Sequence, residues 1–131
     1  MNEQTPMYNP AEKPGMVQAI SILTLVNGIL NILYALILTA SIVLGTLGIG
    51  LLCAPITILP GVLGIFEIIY ATKLMANPPK PVQPSVPLAA LEIATVLTGN
   101  MISLVVGILA LVFYNDPQVK AYFERLNAQQ I

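Results

Sequence analysis

Hydrophobic and polar positions divide the chain into two long apolar blocks joined by a proline-rich bridge. Between Met16 and Met75 only Glu67 and Lys73 are charged, and between Leu88 and Tyr114 the sole charge is Glu92. A run of 18 or more apolar residues reads as a membrane span, because about 20 helical residues cross a hydrocarbon core roughly 30 Å thick. The first block is too long for one crossing and too short for three with their turns. Gly45, Gly48 and Gly50 break it, since glycine ends a helix and tolerates positive φ. This pattern predicts spans over residues 17–44 and 51–76. Pro55 and Pro60 lie in the second, so that helix is expected to bend or to start late, near Ile56.

Residues 77–87 contain five prolines and read as an extended, stiff connector outside the membrane. Pro81 to Pro84 and Pro84 to Pro87 also have the P-x-x-P spacing of peptides that dock on aromatic grooves. A third span is expected over residues 88–114. The alternative is a re-entrant segment that turns at Thr98-Gly99-Asn100, although arms of about 10 and 14 residues are each short of a crossing. The two topologies distribute charge differently. A single third crossing sets Lys13, Lys73 and Lys80 opposite Lys120 and Arg125, whereas a re-entrant segment places all five basic residues on one side.

The termini flank this helical domain of residues 16–114. Residues 1–15 are polar, carry three prolines and read as a disordered lead-in; the long apolar run after them fits an uncleaved anchor better than a signal peptide. In residues 115–131, Asp116 and Pro117 form a helix start. Val119, Tyr122, Phe123 and Leu126 then fall on one helical face, predicting an amphipathic helix on the membrane surface or against the bundle. The fold class is therefore all-α: an integral membrane protein of three transmembrane helices, or two plus a re-entrant segment, with an amphipathic C-terminal helix.

Composition narrows the chemistry. The 131-residue chain is 56% hydrophobic and only 8% charged, with net charge −1. No long basic run offers a nucleic-acid surface. There is no histidine and one cysteine, Cys53. That removes the usual general base and the commonest metal ligand, so no catalytic residue, metal site or cofactor is assigned. Cys53 reads as a small core residue rather than an acylation or redox site.

Within lipid, small residues and interhelical hydrogen bonds bring helices together. Thr95, Gly99, Ser103 and Gly107 recur every fourth residue and predict a close-packing groove on the third span. Ser21, Thr24, Gly28, Asn31 and Ala35 form a similar seam on the first, with Asn27 beside it. Pro60, Gly64, Glu67 and Ala71 follow the same rhythm on the second. Helix packing is thus assigned to Thr95, Gly99, Ser103, Gly107, Gly28 and Asn31. Glu67, Glu92 and Asn27 form a candidate intramembrane polar site, because an acid in the bilayer normally faces protein or water. Asn27 or Asn31 is expected to meet Glu67, and Lys73 to pair with a shallower Glu92. A neutral Glu67 bonded to an asparagine would pin the bundle.

The segment Val112-Phe113-Tyr114-Asn115-Asp116-Pro117, followed by Val119-Lys120-Ala121-Tyr122-Phe123, resembles the tail of small bacterial multi-pass membrane proteins with no assigned activity. Their D-P-x-V-K-x-Y-F pattern after the last span, and a phrase similar to Leu63-Gly64-Ile65-Phe66-Glu67-Ile68-Ile69-Tyr70, carry the resemblance over most of the chain. It implies a bacterial plasma membrane and no particular activity. Together these features lead to the expectation of a non-catalytic membrane scaffold or accessory subunit, with the lipid bilayer and a second copy or another membrane protein as partners. The alternative is an oligomeric channel or transporter component using Glu67 with Asn27 and Asn31.

Overall fold

The computed structural model describes residues 12–128. Most of the expected polar lead-in and the last three residues of the tail lie outside them. The described chain is helical throughout its regular structure: α1 (Gly15–Gly45), α2 (Ala54–Thr57), α3 (Leu59–Leu74), α4 (Val86–Ala94), α5 (Met101–Tyr114) and α6 (Pro117–Ala128), with 3-10 turns at Ile49–Cys53 and Thr95–Thr98. Two segments are long and apolar enough to cross a membrane, Gly15–Gly45 and Ile49–Leu74, and a third counts if α5 and α6 are joined across their 76° bend.

Helix α1 starts after Pro14, whose missing N–H is no loss at a helix start. It stops where glycine allows the chain to turn. Gly48 takes φ 96° and its N–H bonds the Val43 carbonyl at 2.8 Å, satisfying a helix end that hydrocarbon would otherwise leave bare. The two prolines of the second block then set its breaks. Pro55 and Pro60 each fall in the first turn of a short helix, where their lost donor is harmless. The expected late start is therefore real, but it comes at Leu59, and the apolar run is completed by α2 and a 3-10 turn. Cys53 lies in that turn and is exposed. This corrects its expected place in the core: the turn does not pack its side chain against α1.

α1 and α3 form the central pair. Every residue of the two expected seams is buried: Ser21, Thr24, Gly28, Asn31 and Ala35 on α1, and Pro60, Gly64, Glu67 and Ala71 on α3. Their backbones come closest at Gly28 and Gly64. A Cβ on Gly28 would stand 2.7 Å from the Gly64 carbonyl oxygen, and one on Gly64 would stand 2.4 Å from the Gly28 oxygen. Toward the far end, Thr39 and Thr57 join their hydroxyls at 2.8 Å.

Residues 88–114 are not one continuous helix but a helical hairpin, the geometry of the re-entrant alternative. α4 enters, the chain breaks at Thr95–Asn100, and α5 returns antiparallel. Gly107 proves the reversal: a Cβ there would lie 2.6 Å from the Ala89 carbonyl oxygen. In a straight helix these residues would stand about 27 Å apart. The break is possible in an apolar setting because side chains replace the lost backbone partners. Thr95 and Thr98 donate their hydroxyls to the carbonyls of Glu92 and Thr95 at 2.6 and 2.7 Å, and Tyr34 of α1 donates to Thr98. Gly99 turns the chain with φ 81°. Asn100 caps α5, accepting from the Ser103 N–H at 3.2 Å.

The connector and tail close one end of the bundle. Tyr70 donates its hydroxyl to the Gln83 carbonyl at 2.9 Å, and Asn127 donates to Val82 at 3.2 Å. Asp116 caps α6 as expected, accepting from the Gln118 N–H at 2.8 Å. Val119, Tyr122, Phe123 and Leu126 are all buried against the bundle. Tyr114 meets Phe123 edge-on at 6.2 Å, a favourable aromatic geometry. Burial in this layer pushes the Tyr122 hydroxyl above the usual phenol range. Lys13 donates to the Leu74 carbonyl at the same end, and partial burial lowers its ammonium pKa.

All five basic residues therefore gather at the connector end, while residues 14–66 contain no charge. Single cysteines at Leu47, Lys80 and Lys120 in a Cys53→Ser background test this arrangement in sealed cells. An impermeant thiol reagent is expected to treat positions 80 and 120 alike and position 47 oppositely. Opposite reactivity of 80 and 120 would restore a third full crossing.

Candidate functional site

The seams of α1 and α3 bring their polar members to one level, about 10 Å from the connector end of α3. Glu67 is 0% exposed and stands at the centre. Asn27 donates its side-chain N–H to Glu67 Oε1 at 2.8 Å, and Asn31 donates to Oε1 at 3.1 Å and Oε2 at 2.9 Å. The returning hairpin supplies the rest. Ser103 donates its hydroxyl toward Asn27 Oδ1 at 3.1 Å and Asn31 Oδ1 at 2.9 Å, and Asn100 donates to Asn31 Oδ1. Both asparagines therefore donate to Glu67 and accept from α5, so each amide ties two helices through α1.

Glu92 of α4 is 1% exposed, and its carboxyl lies within hydrogen-bond reach of Glu67. This corrects the shallow, headgroup-facing position expected from its distance to Pro87: folding the hairpin against α3 brings it inward. It also corrects the expected pairing with Lys73, which is exposed. Among the described residues no Lys or Arg hydrogen-bonds either carboxyl. One Glu92 oxygen, Oε2, is buried without a partner.

Between this cluster and the connector stands a tyrosine pair. Tyr114 donates its hydroxyl to Tyr70 Oη at 3.1 Å, and Tyr70 also accepts the Ser85 N–H at 3.1 Å. Both hydroxyls lie near enough to Glu92 to interact with it electrostatically. Tyr70, Tyr114 and Asn100 were not among the residues singled out by pattern. Asn100 carried a legible signal as an Asn cap following Gly99, with Ser103 three residues on.

The predicted packing residues divide into two groups. Gly28 and Asn31 lie in the α1–α3 contact, and Ser103 and Gly107 face inward from α5. Thr95 and Gly99 do not continue that groove, which corrects the four-residue stripe. α4 ends before them and α5 begins after them, so Gly99 serves the turn and is exposed, and Thr95 donates to the Glu92 carbonyl. A separate apolar crevice of about 420 Å³ opens between α3 and α4 beside Leu63, Phe66 and Leu91, with only threonine hydroxyls to offer polar contact.

Chemically the cluster can hold helices in register and can hold a proton. It presents no nucleophile–base pair, and among the described residues no group of three metal-ligating side chains. No protein-family model, curated protein or solved structure matches the chain.

The close approaches give a graded expectation. Gly28→Ala puts a methyl against the Gly64 backbone, which has no flexible side chain to move aside, and should destabilise the folded protein by roughly 1–3 kcal/mol. Gly107→Ala should behave similarly, by prying α5 from α4. Gly61→Ala meets only the Ala35 methyl at 3.0 Å and should be milder. Unfolding in mild detergent checks the order. Equal stability of Gly28→Ala and the wild type would show that α1 and α3 do not touch there.

Proposed function

We propose that the chain is a small multi-pass membrane scaffold or accessory subunit that packs with copies of itself or with a larger membrane complex and carries out no catalysis. The observation that supports this most is the direction of the hydrogen bonds around Glu67. Asn27 and Asn31 of α1 donate to Glu67 of α3 and accept from Ser103 and Asn100, so the cluster spends its polarity on joining α1, α3 and the α4–α5 hairpin. The outer faces are left to leucine, isoleucine and valine, a surface suited to lipid and to the helices of a partner.

The same reading assigns an orientation. Clustered Lys13, Lys73, Lys80, Lys120 and Arg125 favour a cytoplasmic connector end by the positive-inside tendency. The uncharged turn around Leu47 then faces the opposite side. The tail's resemblance supports a bacterial plasma membrane. A bundle this thin encloses no water-filled path, so the rival channel reading requires several copies around Glu67, Asn27 and Asn31.

Two substitutions separate these readings. Glu67→Gln keeps shape and acceptor oxygen, and its amide can donate to Glu92; Glu67→Leu leaves the Asn27 and Asn31 amides without their acceptor. The scaffold reading expects Gln to approach wild-type stability and Leu to lose roughly 1–2 kcal/mol, the scale of a strong membrane hydrogen bond. Size in mild detergent, with mass spectrometry of co-purifying proteins, should show a defined assembly that Glu67→Leu weakens. Ion or proton flux in reconstituted vesicles that vanishes in Glu67→Gln would overturn this function in favour of the channel.

A further inference from the structure

Beyond its packing role, the polar cluster carries an assignment of its own. Glu67 and Glu92 lie within hydrogen-bond reach of each other, deep in the bundle, and among the described residues no basic side chain hydrogen-bonds either carboxyl. An ionised carboxyl only accepts, so two carboxylates cannot bond. Contact between them requires a proton on one. The asparagines indicate which. Glu67 accepts three N–H bonds, from Asn27 once and Asn31 twice, the surroundings that suit an acceptor-only carboxylate. Glu92 receives no side-chain N–H from the described residues, and its Oε2 is bare. A neutral acid tolerates a bare buried carbonyl oxygen far better than a carboxylate tolerates a bare charged one.

We infer that Glu92 is a proton-binding site, whose O–H is donated to the Glu67 carboxylate. The groups facing the pair fit this role. α1 presents the neutral amides of Asn27 and Asn31, α5 presents Ser103 and Tyr114, and α3 presents Tyr70. None of these is a competing base.

Infrared spectroscopy of the full chain in lipid vesicles, with glutamate labelled by ¹³C at the side-chain carboxyl, tests this. At neutral pH the wild type should show a carboxylic-acid C=O band distinct from the carboxylate bands. Glu92→Gln should remove that band, since its amide can donate to Glu67 in place of the acid, whereas Glu12→Gln and Glu124→Gln should leave it. Transfer into D₂O should shift the band, as an exchangeable acid O–H requires. Absence of an acid band in the wild type would overturn the site. A band that survives Glu92→Gln would place the proton on Glu67 and overturn the assignment.

Discussion

The Glu67 carboxyl, accepting from Asn27 and Asn31, is the contact on which the rest of the bundle depends. Hydrocarbon offers no competing hydrogen bonds, so a buried acid must find its partners inside the protein. Here those partners stand on α1 and turn their own acceptor oxygens to Ser103 and Asn100. One side chain on α3 thereby fixes α1, and α1 fixes the hairpin. The glycines serve the same end. Gly28 and Gly64 allow the two backbones to touch, which brings the asparagines within reach of the carboxyl, and Gly107 does so for α4 and α5.

The hairpin follows from the same accounting. A helix broken at mid-bilayer depth bares carbonyls that lipid cannot satisfy. Thr95, Thr98, Tyr34 and Asn100 supply the missing donors and the cap. The break also has a consequence for the surface, because the hairpin does not reach the far end. There α1 and the α2–α3 segment stand as a pair whose residues are uncharged and largely exposed. At the connector end α6, the proline-rich connector and the tyrosine pair close the bundle beside the cluster. The molecule is thus asymmetric along its axis: charged, aromatic and capped at one end, bare and aliphatic at the other.

Much of the central pair was legible in the pattern, because small and polar residues in apolar helices have little reason to recur at helical spacing except packing. The seams of α1 and α3, the Gly45–Gly50 turn and the Asp116 cap all lie where spacing places them. The hairpin was harder to read. Thr95, Gly99, Ser103 and Gly107 keep a four-residue rhythm across a break, and periodicity by itself carries no signal of where a helix stops. Glu92 was misjudged for the same reason: its distance from Pro87 measured depth along the chain, whereas folding against α3 set its depth in the bundle. Tyr70 and Tyr114 were silent in sequence, since a buried tyrosine declares itself only through the partner its hydroxyl finds.

The central claim is that this cluster holds a hairpin tip inside the membrane, with Leu97, 89% exposed, facing lipid near the level of Tyr34. Spin labels at Leu97, Leu33 and Leu47, compared in bilayers for collision with dissolved oxygen and with a water-soluble nickel chelate, measure that depth directly. The account predicts that Leu97 matches Leu33, open to oxygen and shielded from the chelate, and that Glu67→Leu makes the Leu97 signal mobile. A Leu97 label as accessible to the chelate as one at Leu47 would contradict it.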